Sequence, residues 1–297
     1  MRRPNVAVAF AVACIGIAVF STMDAVVKGL AIAIGTYNTL LWRSFAGVAI
    51  SGLPWLLRKP PRPSRAAMKL HIERGIVSAV MAMLFFWGLA RTPMAQAIAL
   101  SFIAPLIAQG LAVVLLGERM KGGALAGSVL GLAGVVVILT GQARAEMGHD
   151  AFLGAMAVLL SALCYAYNII LMRRQAQVAD PYEVAFFQNI TVAICLGLFM
   201  PWFAALPPIP NYLEILFAAV LATVSLFLLS WAYARAEASY LAPTEFTAFL
   251  WASLFGYLAF GEHVGFTTVA GAVLIITGCV IAARSSPEPP AEREVVP

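Results

Sequence analysis

The chain reads as long apolar runs cut by short polar breaks, and the length of those runs sets its class. A membrane-spanning helix needs about 20 consecutive, mostly apolar residues. Ten stretches meet that length: 6–32, 36–57, 70–90, 94–116, 122–141, 150–172, 182–204, 211–234, 238–260 and 264–283. The breaks are too short to hold a soluble domain. The pattern predicts an all-α membrane protein of ten transmembrane helices.

Composition agrees. Of 297 residues, 62% are hydrophobic and 11% charged, whereas a soluble globule carries about a quarter charged residues. So few polar groups cannot cover a water-facing surface, and the outer face must meet a lipid bilayer. The opening Met1-Arg2-Arg3 followed by an apolar run resembles a signal peptide. The run continues well past Cys14, so it reads as an uncleaved first span. Four cysteines (Cys14, Cys164, Cys195, Cys279) fall inside spans with no paired spacing, which points to neither disulfide nor metal.

Net charge is +5, and its distribution explains it. With the N-terminus in the cytoplasm, the inner side collects 15 of the 19 Lys and Arg, from Arg2 and Arg3 through Arg58, Arg74 and Arg119 to Arg284 and Arg293. Only Arg91 and Arg144 fall outside, with Lys28 and Arg43 within spans. This is the positive-inside bias. It places both termini in the cytoplasm and makes the charge topological, with no nucleic-acid partner implied.

The chain also matches itself at an offset of 144 residues. Trp87 falls on Trp231, Ala90-Arg91 on Ala234-Arg235, Phe102 on Phe246, Gly117-Glu118 on Gly261-Glu262, Gly127 on Gly271 and Gly134 on Gly278. Five spans fill each copy, an odd number, so the second copy enters the membrane the other way up. The organisation is a first five-helix repeat over 1–144, a second, inverted repeat over 145–284, and a Pro-rich, charged cytoplasmic tail over 285–297 expected to be disordered. Inverted repeats are a recurrent design of secondary transporters, with the substrate near the midplane between halves.

Residues 87–139, through Ala90, Pro105, Gly117-Glu118-Arg119, Gly127 and Gly134, resemble the signature half of the drug/metabolite transporter superfamily, EamA type. Trp231 to Ile281 is its degenerate second copy. The resemblance implies a ten-helix inner-membrane carrier, similar to bacterial exporters of amino acids and other metabolites. Phe249 stands where the first half has Pro105, and Pro243 lies six residues earlier, so a kink in the ninth span need not mirror that in the fourth. Pro105 and Pro243 are the candidate hinges.

Polar residues inside spans are costly and mark cavities or partners. Ser21, Asp24 and Lys28 share a face of the first span, and their counterparts in the sixth include Tyr165 and Asn168. Asp24 and Lys28 have the spacing of a helical ion pair, able to hold a zwitterion, while Asp24 alone could carry a proton. Ser101 and Gln109 share a face of the fourth span with Pro105; Glu245, Phe249 and Ser253 share one in the ninth. Glu245 suits an ammonium or a proton, Arg43 a carboxylate held by two parallel hydrogen bonds, and Gln188 a cavity amide. A structural reading stands beside each: Lys28 at the outer interface, Glu245 paired with Arg235, Arg43 with Asp24. Phe85, Phe86, Trp87, Tyr167, Phe186, Phe187 and Trp251 suit core packing. Gly261-Glu262 reads as a helix end, and Gly127, Gly131, Gly134, Gly271 and Gly278 as close helix packing.

These features predict export of amino acids or similar small, zwitterionic metabolites by alternating access, with protons as possible coupling ions and a homodimer left open. A drug or organic-cation carrier, or a nucleotide-sugar or phosphate-ester carrier, is the same-fold alternative; the latter wants more bases in the cavity than Lys28 and Arg43. An enzyme finds no support. His71, His149 and His263 lie at span ends with no metal spacing or nucleophile motif, and no cofactor is implied.

Overall fold

The apolar runs fold as helices throughout a computed structural model, which describes residues 6–57, 63–116, 122–144, 148–175, 178–179, 181–233, 235, 241 and 244–284. Pro243, Gly117-Glu118 and the tail lie outside the described residues. In order, the helices are α1 (Val6–Ile34), α2 (Thr36–Leu57), α3 (Arg65–Leu89), α4 (Met94–Ser101), α5 (Ala104–Leu116), α6 (Gly122–Arg144), α7 (His149–Gln175), α8 (Pro181–Gly197), α9 (Met200–Phe203), α10 (Ile209–Tyr233), α11 (Thr247–Phe260) and α12 (Phe266–Arg284). Among the described residues, six spans are long and apolar enough to cross a membrane, and four shorter apolar helices accompany them.

Local chemistry sets the ends. Ser64 starts α3 five residues before the hydropathy alone would, its Oγ accepting the Ala67 N–H at 3.1 Å. Gly261 ends α11 at φ +65°, the left-handed cap that glycine adopts without strain.

The fourth and seventh spans are each broken. Proline 105 has no N–H to give the carbonyl of Ser101, and its ring crowds the preceding turn. The chain therefore tightens at Phe102 and Ile103, whose amides bond only three residues back, to Ala99 and Leu100, at 3.3 Å each. The Phe102 carbonyl instead accepts the Cys279 thiol at 3.3 Å. The ninth span is interrupted at Phe246, with Phe249 N–H bonding back to Phe246 at 3.2 Å. Phe246 is the counterpart of Phe102, so the break is mirrored even though Phe249 replaces Pro105. The two phenylalanines meet edge to face, ring centroids 5.4 Å apart at 89°.

Contacts obey the 144-residue offset elsewhere too. A β-carbon on Gly134 would stand 2.6 Å from the Gly271 oxygen and 3.1 Å from the Ile275 nitrogen; one on Gly278 would stand 2.5 Å from the Gly127 oxygen and 3.1 Å from the Gly131 nitrogen. Adding or subtracting 144 turns either set into the other, as a two-fold axis between α6 and α12 requires. Arg91 lies 3.8 Å over the Trp87 ring, and Arg235 lies 4.1 Å over Trp231. The halves interlock, α1 packing on α10 and α3 on α7, with α2 against α8. Alpha-4 is central, and every residue from Met94 to Leu100 is buried.

Candidate functional site

Ser21 and Asp24 are each 1% exposed on α1. Asp24 and Arg43 of α2 act on each other electrostatically, yet the salt bridges among the described residues, Lys28–Glu262 and His71–Glu183, lie elsewhere. Arg43 also sits 5.9 Å from the Phe86 ring centroid. Ser21 Oγ, Asp24 Oδ1 and Arg43 Nε are buried without a hydrogen-bond partner, as are Gln109 Oε1 and Gln188 Oε1. Gln96 Nε2 and Trp55 Nε1, not singled out by the sequence, share that condition. A buried polar atom left unpaired costs about 1–3 kcal/mol. Such atoms are rare in folded proteins, and each calls for a partner such as an ordered water, an ion or a bound molecule.

Lys28 corrects the expected pairing with Asp24. Its ammonium, 3% exposed, bridges to Glu262 and donates to the Thr92 carbonyl at 2.7 Å, 5.0 Å from the centroid of the Phe260 ring. The other Glu262 oxygen accepts the Met94 N–H, the first of α4, at 2.7 Å. Carboxylates are favoured at a helix N-terminus, so Glu262 caps one helix while neutralising a base on another. Its neighbour Gly261 supplies the turn that brings it there.

A second polar group joins α3, α7 and α8. Arg74 donates from Nε to Asn168 Oδ1 at 3.0 Å and from Nη1 to Gln175 Oε1. Asn168 donates to Ser78 Oγ at 2.5 Å, and Gln175 Nε2 faces His71 Nδ1 at 2.6 Å. His71 Nε2 faces Glu183 Oε1 at 2.8 Å. With His71 neutral and protonated on Nε2, every member donates to the next, from Arg74 through Gln175 and His71 to Glu183. A doubly protonated His71 would present a donor to the Gln175 amide and break the chain. The imidazole, fully buried, stacks on Phe187 at 4.8 Å and 16°. Tyr165, one turn before Asn168, keeps 42% of its surface accessible and interacts electrostatically with both Arg74 and Glu245.

The remaining expected site residues are more ordinary. Ser101 and Ser253 give their hydroxyls to carbonyls one turn back, Ala97 at 2.9 Å and Phe249 at 2.7 Å. Phe249 packs against the main hydrophobic core. Arg235 is engaged by Trp231. Arg74, His71, Gln175 and Glu183 were missed as a set. Arg74 was absorbed into the count of inner-side bases, although His71, Arg74 and Ser78 recur at three- and four-residue spacing, the signature of one helix face.

Apolar helices in two matched halves, with a buried acid and base, Asp24 and Arg43, that form no salt bridge, fit a membrane carrier of small polar molecules. The chain belongs to the EamA-like transporter family, which matches residues 7–140 and 152–284, one repeat in each half. It is 23% identical to the pseudopaline exporter of Pseudomonas aeruginosa over 90% of this chain and 92% of that one. It is 27% identical to the riboflavin transporter of Rhizobium johnstonii, covering 82% and 90%. A solved structure with TM-score 0.62, 21% identical and covering 92% of this chain and 95% of its own, shares the fold. The protein is a multi-pass membrane transporter of small metabolites and no enzyme.

Proposed function

We propose that the protein exports amino acids or closely similar zwitterions across the bacterial inner membrane by alternating access, with ten spans in two inverted halves and both termini in the cytoplasm. The observation that carries the substrate class is the Asp24–Arg43 pair. Opposite charges act on each other across a gap, and each keeps a buried polar atom without a partner. An ammonium against Asp24 and a carboxylate against Arg43 complete both groups at once, with Ser21 and Gln188 as further hydrogen-bonding groups. The reciprocal contacts of α6 and α12 support the inverted arrangement, since related halves can exchange conformations and open alternately to each side.

Purified protein in liposomes is expected to move at least one radiolabelled amino acid. Asp24→Asn or Arg43→Gln should lower that flux about tenfold or more, because a hydrogen bond to a charged group contributes about 1.5–3 kcal/mol. Absence of flux for all twenty, with flux of another solute, would refute the substrate class. For proton coupling, Glu245→Gln should abolish pH-driven flux and leave exchange intact; unchanged pH dependence in both Glu245→Gln and Asp24→Asn refutes it.

A further inference from the structure

Arg74 lies nine residues beyond the start of α3, about 13 Å along the helix axis at 1.5 Å per residue. Its guanidinium is clamped in one plane by Asn168 and Gln175, which lie seven residues apart on α7, two turns of one face. Those bonds use two of five N–H donors. Among the described residues, no carboxylate reaches salt-bridge distance of it. Its hydrogen-bonded link to one runs through Gln175 and His71 to Glu183, and Tyr165 interacts electrostatically with both Arg74 and Glu245. A half-buried base in an apolar bundle, with no carboxylate at salt-bridge distance, is stabilised by a ligand that supplies the counter-charge.

The surroundings say where that ligand sits. Tyr165, on the same face of α7 as Asn168, lies within electrostatic reach of Arg74. Its phenol is a second hydrogen-bond donor within electrostatic reach of the clamped guanidinium, and the Glu245 carboxylate acts on the same phenol. Planar guanidinium matches a carboxylate, which takes two parallel hydrogen bonds from it.

We propose that Arg74 is the anion anchor of a second binding station, distinct from Asp24 and Arg43, which takes the carboxylate of the transported metabolite. Asn168 and Gln175 are its positioning residues, and the relay to His71 and Glu183 holds Gln175 in the orientation that presents its oxygen to Arg74. This station rests on the transporter reading and names its ligand chemistry more narrowly.

The test compares the acid and methyl-ester forms of each amino acid as competitors of flux in liposomes holding the full-length protein. Wild type should prefer the acid about tenfold or more, as expected of a charge-assisted hydrogen bond. Arg74→Gln should reduce that preference severalfold, leaving the part due to Arg43, by weakening the apparent affinity for the acid more than that for the ester. Arg74→Lys, which keeps the charge but loses the fork, should fall between, and Gln175→Ala should resemble Arg74→Lys. Equal loss of acid and ester flux in Arg74→Gln, or an unchanged preference, overturns the assignment. If no amino acid is carried, acetate, succinate and benzoate serve as probes in thermal denaturation of the purified protein. Stabilisation by a carboxylate that disappears in Arg74→Gln then upholds the station although the amino-acid reading has failed. No stabilisation, or stabilisation equal in the variant, overturns the station itself.

Discussion

Lys28 and Asp24 stand one helical turn apart, both nearly sealed from solvent, and find different partners. Lys28 has a long, flexible stem that reaches the loop after α11, where Gly261 turns Glu262 inward. Asp24 is short and stays with Arg43. A sequence displays neighbours at spacings of three and four, and so offered Asp24 as the partner; the true one is 234 residues away. The long-range pair makes a stability prediction. In Glu262→Gln the amide oxygen can still cap α4 through Met94, but Lys28 is left buried without a counter-charge. Unfolding of the purified protein should be easier by about 3–5 kcal/mol, the usual cost of breaking one side of a buried pair. Adding Lys28→Met should return much of the loss. Equal thermal midpoints for wild type and Glu262→Gln would show that the bridge contributes nothing.

At the scale of elements, the close approach of α6 and α12 depends on side chains that are absent. Gly134→Leu would drive a side chain into the Gly271 carbonyl, and it should cost about 1–3 kcal/mol or more of stability, the range for overpacking. Gly29→Ala gives the control. Nothing lies within 4 Å of a β-carbon there, and alanine is the better helix former by about 1 kcal/mol. Thermal midpoints of the two variants should therefore move in opposite directions. These elements were readable beforehand to different degrees. Hydropathy located the spans, since a bilayer demands length and apolarity whatever the tertiary contacts. The break at Phe246 was not readable. It follows from how the second half packs, and no proline marks its counterpart to position 105. Arg74 was hidden for a related reason, because hydropathy cannot distinguish a base just inside a span from one just outside it.

For the whole molecule, the reading with both termini cytoplasmic makes a direct prediction. A fluorescent protein fused to the C-terminus should glow, and an alkaline phosphatase fused there should be inactive; the reverse result would invert the orientation. The same reading sets Lys28, Thr92 and Glu262 on the outer side, and His71, Arg74 and Glu183 toward the inner one. The outer group is joined directly by an ion pair, the inner one by a longer relay of amides and an imidazole. Phe102 and Phe246 meet edge to face between the two halves. Each ring marks the point where its own helix is already broken, and each bears on the other. On the proposed alternating-access reading, two levers that share one fulcrum would not swing independently, and a movement that spreads them at one membrane face would pinch them at the other. Tightness against leak would then reside in the backbone at that crossing, and a smaller residue at either position should loosen the timing of the two gates before it changes what the protein recognises.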